Sequence, residues 1–89
     1  MHPTAIPRQK AGYEAADLDG EFMLYHSAEA KALYLNETAS LIWKLCDGER
    51  SVESIRGLLR DAYPDAHELP AQVDEAFQVL VREGAVEIP

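Results

Sequence analysis

The hydrophobic pattern changes its period once, at Leu35-Asn36, and that change decides which class of fold is open to the chain. Before it, residues 13 to 35 alternate with the two-residue repeat of a strand. After it, apolar residues recur every three to four positions, as on one face of a helix. Strands grouped ahead of helices give an α+β fold, because a parallel α/β sheet needs the two to alternate along the chain.

Asp19-Gly20 divides the strand region and is a strong two-residue hairpin signal, since a type I′ turn needs positive φ at both central positions. It separates Tyr13–Leu18 from Glu21–His26. In the second segment Phe22 and Leu24 point one way while Met23 and Tyr25 point the other. A strand apolar on both faces is either sandwiched or available to a partner. A loop near Ser27–Ala30 leads to a third short strand, Lys31–Leu35. The result is a three-stranded antiparallel meander, too small to stand without helices against it.

Asn36 is a good N-cap and Glu37 suits the positive end of the helix dipole. The first helix runs to about Cys46, where Asp47-Gly48 ends it. Ser51 caps a second helix whose Val52, Ile55, Leu58, Leu59, Ala62 and Tyr63 share one face, and Pro64 stops it. Pro70 starts a third helix with a core stripe of Val73, Ala76, Phe77, Leu80 and Val81, closed by Gly84. Ala85–Ile88 reads as a last extended piece. The order β-β-β-α-α-α is of the winged helix-turn-helix kind. Residues 1–11, with prolines at 3 and 7 and no periodicity, read as a flexible N-terminal arm or an irregular lead-in ahead of a single domain over 12–89.

Charge narrows the partners. The 89 residues carry 16 acidic against 8 basic side chains, a net of −8, which argues against nucleic acid even for this type of fold. Between Ser51 and Glu83 only Arg56, Arg60 and Arg82 oppose seven carboxylates. No apolar run approaches the roughly 18–20 residues of a membrane span. A single Cys46 forms no intrachain disulfide, and the opening residues lack the apolar region of a signal peptide, so the cytoplasm is the expected compartment.

The residues that carry chemistry are sparse. His2, His26 and His67 are scattered, without metal-ligand spacing. Cys46 falls at the negative end of a helix dipole, which raises a thiol pKa and suits a buried structural cysteine. The glycines form no phosphate cradle, and Gly57, inside the second helix, is either a close approach to another backbone or simply tolerated. No Asp-Ser dipeptide is present to take the arm of a carrier protein. No enzyme, metal or cofactor is expected.

One stretch is more specific. The run Tyr34-Leu35-Asn36-Glu37-Thr38-Ala39, the pair Ile42-Trp43, Cys46-Asp47-Gly48, Ser51-Val52-Glu53-Ser54-Ile55 and Leu59-Arg60-Asp61-Ala62-Tyr63 together resemble the PqqD family. Val73-Asp74, Leu80 and Gly84 resemble its closing segment. The resemblance spans about residues 22–88. It implies a winged helix-turn-helix domain that binds the leader of a ribosomally made precursor peptide. Such a domain presents the peptide to a modifying enzyme, either a radical S-adenosylmethionine protein or a leader protease. The loop His26-Ser27-Ala28-Glu29-Ala30 lacks the Pro-Glu pair usual in PqqD proteins proper, which points to the broader PqqD-like group.

Physics supplies a binding mode beside the resemblance. The third strand offers an open edge to which an extended peptide adds through main-chain hydrogen bonds. The family uses a groove between that strand and the third helix, which selects Lys31, Leu33, Tyr34 and Leu35 on the strand and Asp74, Phe77, Gln78 and Val81 on the helix. The opposite shoulder of the helix, with Gln72, Val79 and Glu83, stays open as a second choice. The acidic surface, Asp74 included, suits basic residues in a leader. An exposed edge can also pair with a second copy of the chain. The alternative reading is a protein-interaction or regulatory module of the same fold, outside peptide maturation.

Overall fold

A computed structural model describes residues 2–89. In chain order the elements are β1 (Arg8–Gln9), β2 (Tyr13–Leu18), β3 (Glu21–His26), β4 (Lys31–Leu35), α1 (Glu37–Leu45), α2 (Val52–Ala62), α3 (Leu69–Arg82) and β5 (Val86–Glu87). The architecture is α+β. An antiparallel sheet of order β2-β3-β4 packs one face on the three helices, and β1 pairs with β5 in a second, two-stranded sheet.

The Asp19-Gly20 turn forms as the sequence requires, with φ of 57° and 91°. Asp17 steadies it by accepting a hydrogen bond from the Gly20 N–H at 2.8 Å. A two-residue turn fixes register, so Leu18 faces Glu21 and Tyr13 faces His26. β4 continues the meander with Phe22 opposite Leu35 and His26 opposite Lys31. Phe22, Leu24 and His26 are buried against the helices, whereas Tyr25 on the other face is exposed. Of the two options the sequence left for β3, the structure takes the open one: the outer sheet face has no covering layer among the described residues.

Ser40 joins sheet to helix. Its hydroxyl accepts from the Phe22 N–H at 2.9 Å and donates to the Leu35 carbonyl at 3.1 Å. It therefore stands in for a ladder hydrogen bond that β3 and β4 would otherwise make directly. Antiparallel strands alternate the direction of their backbone groups. With Leu35 aimed at β3, the N–H and C=O groups of Ala32 and Tyr34 are aimed outward, along the free edge of β4.

The caps read from the sequence are present. Asn36 accepts from the Ala39 N–H and Ser51 from the Ser54 N–H. The core lies where α1 and α3 meet β3, around Leu24, Leu35, Ile42, Phe77 and Leu80. Trp43 is buried with them, donating from Nε1 to the Ala85 carbonyl and meeting Phe22 edge to face. Two helix faces are narrower than expected. On α2 only Val52, Ile55 and Leu59 are buried, leaving Leu58, Ala62 and Tyr63 exposed. On α3 the stripe stops at Leu80, and Val81 is exposed. At about 100° per residue Val81 sits roughly 80° from Val73, on the flank of the buried arc.

The N-terminal segment departs from expectation. In place of a flexible arm over residues 1–11, residues 2–10 lie docked along the molecule. Gln9 N–H donates to Cys46 and Lys10 N–H to Ala85, while the carbonyls of Pro7, Ala5 and Pro3 accept from Gly48, Val52 and Glu53. Two of those donors belong to the first turn of α2, where helix N–H groups have no partner of their own. Proline lacks a donor but keeps its acceptor, so a proline-rich strap satisfies a helix start well. The extended tail expected at 85–88 is β5, and β1 is its partner. No helix among the described residues is long and apolar enough to cross a membrane.

Candidate functional site

β4 is an edge strand, hydrogen-bonded to β3 on one side only. Across its free edge lies α3, and the space between is a groove of about 520 Å³. Tyr34, Leu35 and Asn36 form the strand side. Gln72, Glu75, Ala76 and Val79 form the helix side. The start of α1, at Glu37–Ala39, closes the floor between them. The opposite end is tied shut: Lys31 donates from Nζ to the Glu83 carbonyl and pairs with the Glu83 carboxylate at 3.6 Å.

The helix side follows from spacing. Gln72, Ala76, Val79 and Glu83 recur at the i, i+4, i+7 and i+11 positions of one helix face. That face is the shoulder opposite the one chosen first from the sequence. Val79 was the legible signal, an apolar residue outside the buried stripe.

The eight candidate residues divide accordingly. Tyr34 and Leu35 line the groove. Leu33 packs on the core beside it, and Lys31 tethers its closed end. The four helix candidates do not join them. Asp74 makes an ion pair with Arg56 of α2, on the far side of α3. Phe77 is fully buried, Gln78 is exposed, and Val81 lies on the same flank as Asp74.

The groove is acidic. Glu21, Glu37 and Glu75 line it, with no basic side chain among them. Tyr34, 52% exposed, donates its hydroxyl to Glu21, and that bond to a carboxylate raises the phenol above its ordinary pKa. A row of outward backbone donors and acceptors beside apolar Leu35, Ala76 and Val79 has the chemistry to pair with an extended chain. The carboxylates around it favour one with basic residues.

Catalytic chemistry has less to work with. Cys46 is fully buried, and desolvation, with the nearby Asp47 charge, pushes its thiol up to about 12. His26 is buried on the core face of β3, its ring edge-on to Tyr13 and its Nδ1 accepting from the Glu29 N–H. Both side chains are structural. Among the described residues no three His, Cys, Asp or Glu side chains come together as a metal site.

Comparison with known proteins gives consistent relatives. Residues 21–86 match the family described as Coenzyme PQQ synthesis protein D (PqqD). A PqqA binding protein of Klebsiella pneumoniae (strain 342) is 34% identical over 87 residues, covering 93% of this chain and 90% of its own. A PqqA binding protein of Pseudomonas fluorescens (strain Pf0-1) is 36% identical over 77 residues, covering 86% and 80%. The solved structure of TbiB1 in complex with the TbiA(beta) leader peptide shares the fold, with a TM-score of 0.72. It is 20% identical, over 90% of this chain and 94% of that one.

Proposed function

The chain belongs to the PqqD family, and from that premise we propose that it is a peptide chaperone without catalysis of its own. It binds the leader of a ribosomally made precursor as an added strand on β4 and presents the peptide to a modifying enzyme, such as a radical S-adenosylmethionine protein or a leader protease. The observation that carries this reading is the free β4 edge, with the outward backbone groups of Ala32 and Tyr34 facing a groove walled by α3. The names of its relatives, which bind PqqA, support it. The absence of any basic lining residue favours a peptide partner over a phosphate backbone.

Calorimetric titration with synthetic PqqA, and with any short precursor encoded beside the gene, tests it. A saturable 1:1 complex is the expected result. Ala32→Pro removes one outward N–H from an edge position, where proline is tolerated. It should weaken the complex about tenfold or more while the thermal melt stays near that of the parent chain. Leu33→Asp should abolish binding too, but Leu33 packs on the core, so its effect mixes with stability. No complex with any of these peptides would overturn the reading.

A further inference from the structure

The groove does not end at Leu35. Glu37, Thr38 and Gln72, which line it, are also the mouth of a second pocket of about 180 Å³. That pocket is set between α1, the last turn of α2 and the first turn of α3. Its walls are Leu41, Leu59, Leu69 and Tyr63, and none of them is charged. An apolar cavity of roughly 150 Å³ is enough to hold a benzene-sized group, so this one is the size of a single large apolar side chain.

We propose that this pocket is a side-chain subsite of the peptide groove, taking one apolar residue of the bound peptide just beyond the segment paired with β4. The inference rests on the strand-addition reading and deepens it. The adjacency of the two cavities, which share Glu37, Thr38 and Gln72, is its basis. β4 runs directly into Asn36 and the start of α1, so a chain paired along β4 that continues past Leu35 crosses Glu37, Thr38 and Gln72. It then lies over the second mouth. Tyr63 stands at the outer wall, 45% exposed. Antiparallel pairing, the commoner and slightly more stable arrangement, places the subsite residue on the N-terminal side of the paired segment.

The subsite explains two features the core does not need. The second helix carries an apolar face wider than the part it buries, and Tyr63 belongs to the surplus. The α2–α3 connection holds Ala66 beside the pocket, a small residue that leaves it open.

Random linear peptides displayed on phage and selected on the parent chain provide the probe. The expected motif has a large apolar residue at a fixed offset on the N-terminal side of the strand-paired residues. Two exposed positions give variants that leave the core intact. Ala66→Trp plugs the pocket and Tyr63→Ala removes its outer wall. Each should erase the apolar preference and weaken a selected peptide by about tenfold to a hundredfold, the effect of leaving one such side chain in water. The peptide with that residue changed to Ser should bind parent and variants alike. A motif with no apolar preference, or one that both variants keep unchanged, overturns the subsite and leaves strand addition standing. Selected peptides that bind Ala32→Pro as tightly as the parent chain overturn strand addition itself, and the subsite with it.

Discussion

Gly12 and Gly57 show how differently the fold holds one residue type. At Gly12 φ is +99°, and a Cβ there would lie 2.4 Å from Nε2 of His26. That ring is fixed between Tyr13 and the Glu29 N–H, so it has little room to move. At Gly57 a Cβ would meet only the far end of Arg60, at 3.6 Å. Gly12→Ala should therefore lower stability by about 1–3 kcal/mol, and Gly57→Ala should raise it by about 0.5–1 kcal/mol, both read by thermal or urea denaturation. The sequence alone leaves Gly57 open, because nothing local shows which ring or guanidinium stands opposite a glycine. Cys46 was more legible, its place at a helix end being enough to mark it inert. With its thiol raised from 9.0 to about 12, the folded chain keeps the proton that the unfolded chain releases above pH 9. This contribution to stability is fully present below pH 9 and is lost as pH rises towards 12. Thiol reagents at neutral pH should label Cys46 only after denaturant is added.

At the scale of elements, β4 and α3 carry the candidate site and were read with unequal success. β4 was legible because a meander of three strands must leave its last strand at an edge. α3 was not, because a wheel shows two shoulders and does not say which one faces the strand. That choice is made by Ser40, which ties Leu35 to α1, and by Lys31, which ties the start of β4 to the end of α3. Both contacts span several elements and have no signature in a local pattern. Val79 and Gln78 are neighbours on different faces of α3, and of the two only Val79 lines the groove. Val79→Lys should weaken peptide binding about tenfold or more, and Gln78→Lys should leave it within about twofold, as measured by calorimetry.

For the whole molecule, the class of fold, the element order and most of the core were set by periodicity, turns and caps. The N-terminal strap was missed for a physical reason. Its stability comes from five backbone hydrogen bonds to Cys46, Ala85, Gly48, Val52 and Glu53, and main-chain groups are the same in every sequence. Pro7, buried within the strap, gives no periodic signal by itself. Deleting residues 1–10 removes those bonds and frees the first turn of α2. It should cost about 2–4 kcal/mol and lower Tm by roughly 10 °C or more, while the groove, formed at the other ends of α1 and α3, keeps its lining. The β1–β5 pairing has a practical corollary. It brings residues near the two ends of the chain side by side, next to Asp47 and Ala85. A fluorophore, a surface linker or a fused enzyme attached near either end therefore emerges from the same patch of surface. Two such attachments on one molecule would lie close enough to report on each other.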